Sequence, residues 1–208
     1  MLEGIIDISH HNGPDIDFQV ASQNGIVAVI HKATQGTSYV DRQFGANRMK
    51  AQKARLLFGS YHFGTGDDGA AQAEFYLNTV GPSSGELLAL DFESNNAGPS
   101  MTLEEAREFV SVVHRHIGKW PALYAGHFLK ELLAGRPDAI LTNCPLWLAQ
   151  YSPTPVLPVG WTELKLWQWT DGSAGGNPAP VPGVGHCDQD RFNGTAVQLP
   201  SFWASVSP

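Results

Sequence analysis

Apolar residues in this chain fall into short runs, and the runs alternate with stretches of helical spacing along its length. The runs read as strands: Ile5–Ser9, Val27–Lys32, Leu57–Phe63, Leu87–Glu93, Ala122–Gly126, Leu146–Tyr151, Leu164–Trp169 and His186–Asp190. Most of them are apolar at both parities, the pattern of strands buried on both faces. Between them, Asp41–Arg55 and Gly69–Val80 are rich in helix formers and poor in β-branched residues. Thr102-Leu103-Glu104-Glu105 is a capping box, because Thr102 and Glu105 satisfy each other's free backbone N–H groups. After it Leu103, Ala106, Val110, Val113 and Ile117 recur at helical spacing and form one buried stripe. Phe128–Ala134 reads as a shorter helix, stopped by Gly135 and Pro137.

Two late connections, Ser152–Trp161 and Thr170–Gly185, are rich in Pro and Gly and carry no helical pattern. Strand–helix alternation around eight strands predicts an α/β fold. The expectation is an irregular, flattened (β/α) TIM-like barrel, mostly parallel, with fewer than eight helices. A length of 208 residues suits one such barrel. No internal repeat or low-complexity tail marks a second domain, so residues 1–208 read as a single domain.

Hydrophobic residues make up 42% of the chain, which argues for a packed core over disorder. The net charge is −7 and the basic residues are scattered, so no footprint for nucleic acid or an anionic membrane is present. No apolar run approaches the length of a membrane span. Met1-Leu2-Glu3-Gly4 runs straight into the first strand, without the basic and apolar regions of a signal peptide. Cys144 and Cys187 lack metal-site spacing; they are expected at opposite ends of a parallel sheet, too far apart to bridge, and hence as free thiols.

The candidate chemistry lies in Asp91-Phe92-Glu93, which ends the run from Glu86 to Leu90. Two carboxylates spaced i, i+2 on a strand point the same way, with Cα atoms roughly 6.6 Å apart. Charged groups are rarely buried without a partner, although acids also serve as caps at strand ends and helix starts. Parity settles which neighbours share their face. Asp7 shares a face with Ile5 and Ser9, Tyr61 with Phe63, Tyr124 with Ala122, Trp147 with Ala149 and Tyr151, and Asp188 with Asp190. Gln168 lies opposite in parity to Trp167 and Trp169. The C-terminal ends of parallel barrel strands converge on one mouth, where active sites sit. Asp7, Asp91, Glu93 and Asp188 are therefore expected to meet there, ringed by Tyr61, Tyr124 and Trp147. Acids among aromatic platforms describe a sugar cleft. Lys32 either neutralises these acids or extends its ammonium to solvent. His10, His11 and His62 read as hydrogen-bonded structural groups, Asp41 as a helix N-cap and Asn12-Gly13 as a turn. Neither a metal nor a cofactor is expected.

The chain resembles the glycoside hydrolase family 25 muramidases, the Chalaropsis-type lysozymes. The matching stretches begin with Gly4-Ile5-Ile6-Asp7-Ile8-Ser9-His10-His11-Asn12-Gly13, Lys32-Ala33-Thr34-Gln35-Gly36-Thr37-Ser38-Tyr39-Val40-Asp41 and Gly59-Ser60-Tyr61-His62-Phe63. They continue through Gln72-Ala73-Glu74, Leu88-Ala89-Leu90-Asp91-Phe92-Glu93, Pro121-Ala122-Leu123-Tyr124, Leu146-Trp147-Leu148-Ala149-Gln150-Tyr151 and Leu166-Trp167-Gln168. Asp188, before Arg191-Phe192, closes the set, which runs in order from about Gly4 to Phe192. The resemblance implies a catalytic domain that cuts the β-1,4 bond between N-acetylmuramic acid and N-acetylglucosamine. It places Glu93 at the proton-donor position, Asp91 as the second acid, Asp7 as the acid ending the first strand and Asp188 as that of the last strand. The family usually has an apolar residue after that last acid and then Asn or similar; the run here is Asp188-Gln189-Asp190, so Asp190 also fits the place. Tyr61, Phe63, Tyr124, Trp147, Gln168 and Lys32 become the expected substrate contacts.

The expected partner is thus the glycan strand of peptidoglycan, met by a monomer. Action on the bacterial wall fits a phage endolysin, a non-classically exported protein or a processed secreted enzyme. Two other readings of the residues are a catalytically silent peptidoglycan-binding barrel and a metal-dependent wall hydrolase using Asp7, His10, Asp91, Glu93 and Asp188. Chitin is a further substrate for the substrate-assisted chemistry of such a site.

Overall fold

The computed structural model describes residues 1–175 and 178–208. The strands are β1 (Leu2–Ile8), β2 (Ala28–Gln35), β3 (Tyr39–Val40), β4 (Leu57–Phe63), β5 (Leu87–Phe92), β6 (Ala122–Ala125), β7 (Leu146–Ala149), β8 (Leu166–Thr170) and β9 (Asp188–Phe192). The helices are α1 (Phe18–Gln23), α2 (Phe44–Lys53), α3 (Gly69–Val80), α4 (Leu103–Ile117), α5 (His127–Leu133) and α6 (Leu199–Ser205). The sheet order is β1-β9-β8-β7-β6-β5-β4-β2, and a further β1–β2 pairing closes it into an eight-stranded barrel. β3 stands outside the ring as a short antiparallel addition to β2. Among the described residues, six helices accompany eight barrel strands, which fits the expected irregular (β/α) barrel.

Seven barrel strands run parallel, and β9 runs antiparallel to both of its neighbours, β1 and β8. This corrects one step of the sequence reading, in which the last strand shared the direction of the rest. Its start, not its end, reaches the mouth, because the 170–185 connection stays at that end of the barrel instead of crossing back beside a helix. Cys187 therefore precedes its strand at the mouth, while Cys144 lies before β7 at the opposite end. Both are buried free thiols.

Period-two alternation sorts each strand into two cores. Inside the barrel, Ile5, Ala28, Ile30, Leu87, Ala89, Ala122, Trp147 and Leu166 pack together. Outside, Ile6, Ile8, Val29, Phe58, Leu88, Leu90 and Leu123 meet the helices. α4 forms as its sequence dictates: Thr102 caps it in a capping box with Glu105, and Gly118 ends it in the left-handed region at φ 72°. α2 begins three residues later than expected. Asp41 is not its N-cap; one carboxylate oxygen takes the backbone N–H of Gln43, and the other is bonded by the backbone N–H and ring Nδ1 of His10.

The non-mouth end is plugged by α6, which the sequence pattern did not reveal. Leu199, Phe202, Trp203 and Val206 join the inner core. The Trp203 indole N–H donates to the carbonyl of Phe58 at 2.7 Å, and the carbonyl of Val206 accepts from the backbone N–H of Leu88. With that end sealed, the inner core is open at the mouth.

α3 and α4 pack at close range over Gly69, where an added Cβ would meet the carbonyl oxygen of Glu105 at 2.1 Å. Gly69→Ala should push the two helices apart and destabilise the fold by roughly 1–3 kcal/mol, read as a lower urea midpoint.

Candidate active site

The mouth of the barrel holds a pit of about 230 Å³ lined by Asp7, Tyr61, Asp91, Glu93, Tyr124, Trp147, Tyr151, Gln168 and Asp188. Strand register explains the gathering. Asp7 of β1 is the Cα partner of Asp188 of β9. Asp91 of β5 lies between Phe63 of β4 and Tyr124 of β6, and Tyr124 is the partner of Trp147 of β7. Gln168 of β8 is the partner of Asp190. Glu93 lies one residue beyond β5 but keeps its alternation, so it joins Asp91 at the pit.

All four acids expected at the mouth are brought together there, with Tyr61, Tyr124, Trp147 and Gln168. Phe63 and Lys32 are not among the lining residues. The Lys32 ammonium sits 4.5 Å from the centre of the Phe63 ring and donates to Gln35 Oε1 at 2.7 Å, so the two stack on each other beside the pit. Asp190 lies one step deeper along β9 than Asp188 and is 1% exposed. Of the two acids of the last strand, Asp188 is the one that faces the pit. The expected site lacked Tyr151, which lines the pit from two residues past the end of β7, although its parity with Trp147 and Ala149 pointed to it.

Gln168 is the hub of the polar network. Its Oε1 accepts from the hydroxyls of Tyr124 at 2.9 Å and Tyr151 at 2.7 Å, and its Nε2 donates to Asp7 Oδ2 at 2.8 Å. Trp147 forms an aromatic floor, meeting Tyr61 and Tyr124 edge-on at centroid distances of 6.4 and 4.9 Å. Its indole N–H donates to Asp190 Oδ1 at 2.6 Å. One oxygen of Asp91, Oδ1, is buried with no hydrogen-bond partner.

Burial dominates the electrostatics, because low dielectric disfavours a charged carboxylate. It raises the Glu93 carboxyl, and the positive charge of Lys32 opposes the rise. Asp91 is held well above the carboxylate range, first by burial and then by the charge of Glu93. Asp7 is raised likewise by burial and by Asp190. Asp188 is pushed up to about 9 by burial and then by Asp7. Asp190 reaches about 7 by burial, moderated by the Trp147 indole N–H and by the nearby carboxyl of Asp7. Two of the three histidines are hydrogen-bonded as expected, His62 buried between Thr34 and Gln72 and His10 paired with Asp41, whereas the exposed His11 ring packs on His10. Among the described residues, no three His, Cys, Asp or Glu side chains are grouped to hold a metal ion.

A second hollow of about 440 Å³ adjoins the pit and shares Glu93, Tyr124 and Tyr151 with it. Asp91 faces the pit alone. The site is thus an acidic pit with an adjoining groove on its Glu93 side.

Comparison with known proteins gives this geometry its family. Residues 6–176 match the model of glycosyl hydrolases family 25. The chain belongs to this family. An N,O-diacetylmuramidase from Chalaropsis sp is 31% identical, the match covering 82% of this chain and 89% of that one. Lysozyme M1 from Streptomyces globisporus is 28% identical over 93% of this chain and 69% of its own length. The crystal structure of a bacterial lysozyme from Streptomyces coelicolor superposes with a TM-score of 0.86 at 25% identity, covering 99% of this chain and 98% of that one.

The raised acids give the family 25 barrel a pH-dependent stability. A carboxyl whose folded pKa lies above its unfolded value of about 3.9 favours the folded state most fully below that value. The contribution is lost as pH rises through about 7 for Asp190 and about 9 for Asp188. Asp41 and Asp138, held low by hydrogen bonds, act in the opposite sense only at more acid pH. The urea midpoint should fall between pH 5 and 9, and Asp188→Asn should flatten that fall while raising stability at the alkaline end.

Proposed function

We propose that this chain is a lysozyme: an N-acetylmuramidase that hydrolyses the β-1,4 bond between N-acetylmuramic acid and N-acetylglucosamine in bacterial peptidoglycan. The observation that carries the reading is the position of Glu93, which lines both the pit and the adjoining groove while Asp91 faces only the pit. A proton donor acts on the oxygen between two sugars, so it belongs on the border of two subsites. An acid that orients a group on one sugar belongs within a single subsite. The names muramidase and lysozyme borne by the relatives point to the same bond.

Residues 1–208 are taken as a single catalytic domain, acting as a monomer on glycan strands of the bacterial wall. The muramic sugar occupies the pit over Trp147, and the leaving N-acetylglucosamine lies in the groove. Glu93, its carboxyl raised by burial, protonates the glycosidic oxygen. Asp91 is joined to it along one strand and is poorly placed to attack across the sugar as a second nucleophile. The 2-acetamido oxygen of the substrate attacks the anomeric carbon instead, as in known substrate-assisted glycosidases. The unpartnered Asp91 Oδ1 accepts the acetamide N–H and stabilises the positive charge that develops on that group. Burial of both acids, and the charge of Glu93 on Asp91, leave the pair with one proton between them; the reaction needs that proton on Glu93, and Lys32 favours the ionised form of either acid. When the acetamide ring opens, Glu93 returns as the base that activates water. Asp7 and Asp188 hold the hydrogen bonds and protonation state of the pair. Tyr61 and Tyr124, kept neutral by burial, remain hydroxyl donors throughout.

Two attacks at one carbon give net retention. The first-formed product should keep the β configuration by NMR, and an inverted product would rule the route out. Mass spectrometry of purified peptidoglycan digested by the wild type should find fragments with reducing-end N-acetylmuramic acid. Glu93→Gln should release them at least about 100-fold more slowly while still binding glycan. Reducing-end N-acetylglucosamine, or cleaved peptides and amides, would overturn the assignment.

A further inference from the structure

We propose that Asp190 is a positioning residue of this site: it shares one proton with Asp7 and so fixes both the Trp147 indole and the protonation state of the pit wall. The proposal rests on the muramidase reading for its catalytic consequence, and on geometry alone for the proton sharing. Asp190 does not line the pit, and its side chain lies beneath it. Oδ1 accepts the Trp147 indole N–H at 2.6 Å, and Oδ2 is buried with no partner among the N–H groups and hydroxyls around it. A buried carboxylate oxygen without a donor is costly, and such atoms are rare in native folds.

One donor is within the cluster. Asp7 receives Gln168 Nε2 on Oδ2 and faces Asp188 across the β1–β9 ladder. Asp190 lies diagonally across the same ladder, opposite Ile5. A carboxyl proton on Asp7 supplies the bond that Asp190 Oδ2 lacks. Two adjacent buried carboxylates do not both ionise near neutral pH, so the pair keeps one proton. Ionised Asp190 accepts from Trp147 on one oxygen and from neutral Asp7 on the other.

The surroundings add no competing cation at this depth. β7 and β8 present Trp147 and Gln168, neither of which titrates here. β9 adds Asp188, with Cys187 just before it, and across the mouth stand Tyr61, Asp91, Glu93, Tyr124 and Tyr151. Lys32 bears on Asp91 and Glu93, and its ammonium is tied to Gln35 and lies over Phe63. Asn at 190 keeps an acceptor for the indole N–H but carries no charge, so Asp7 loses the neighbour that holds its proton. Removing a like charge lowers a carboxyl pKa.

The test is Asp190→Asn in the full chain with two readouts. The first is the indole N–H resonance of Trp147, assigned with Trp147→Phe and followed against pH. In the wild type it should titrate as the shared proton leaves; in Asp190→Asn it should persist and stay nearly constant. The second is the pH profile of peptidoglycan turnover. The alkaline limb of kcat should move down by about one pH unit, with KM within roughly twofold. An indole resonance that titrates identically in both proteins, or a uniform loss of kcat with unmoved limbs, overturns the proposal. A wild type that leaves peptidoglycan intact would overturn the functional reading alone, and the indole titration would still decide the proton sharing.

Discussion

The barrel closes through a strand that runs against the other seven, and the chemistry of the mouth depends on that closure. β9 inserts between β8 and β1 with antiparallel bonds on both sides. Had it run parallel, its start would lie at the sealed end, and Asp188 would face α6 instead of Asp7. Because it runs antiparallel, its first residue meets the last turn of β1, and a single inward face presents Asp188 at the pit and Asp190 below it. The long connection between β8 and β9, which carries no helix among its described residues, brings the chain back in at the mouth. Acids contributed by strands at the two ends of the sequence thus become ladder neighbours.

That concentration of carboxylates opposes folding, since each must be desolvated beside others of like charge. The rest of the fold offsets it. Inside the barrel the polar layer sits on an apolar layer sealed by Phe202, Trp203 and Val206. Burying such side chains contributes roughly 1.5–3 kcal/mol each, so a few of them balance one or two unfavourable acids. Part of the polar layer is satisfied through Gln168, which uses its amide in both directions, accepting from two tyrosines and donating to Asp7. A network satisfied in this way stays rigid, and a rigid pit can bind a sugar without first reorganising.

Much of this was legible in the sequence, because strands have a strict period of two. Parity alone put Asp91 and Glu93 on one face, turned Gln168 inward between Trp167 and Trp169, and pointed Tyr124 and Trp147 at the same space. The α4 capping box was legible for a similar reason, being a local hydrogen-bond exchange. What escaped was set by non-local geometry. Strand direction leaves no local trace, so the reversal of β9 was invisible in His186–Asp190. α6 is short and begins Leu199-Pro200, and its apolar face gains meaning only against the barrel end. Tyr151 shared the parity of Trp147, but as folded it lies past the end of β7, so only the structure places it at the pit. Lys32 and Phe63 had the correct parity for the pit, but their mutual cation–π contact holds both aside.

The site finally shows how one residue type takes several roles through the donors each copy meets. Asp41 is surrounded by N–H groups and is held below the ordinary carboxylate range. Asp190 meets one indole N–H and remains intermediate; Asp91 has an oxygen with no partner and is raised well above. The order follows the donors opposing desolvation together with the neighbouring acids: Asp91, whose Oδ1 has no donor, also meets the charges of Glu93, Asp7 and Asp188. Reactivity therefore concentrates where the fold withholds hydrogen bonds. An acid given every bond it can accept is stable and inert, whereas one left short is primed to take a bond from a substrate. In this barrel the acid left short at the pit is Asp91, and its strand continues directly to Glu93, so the same β5 carries both the unmet acceptor and the proton donor.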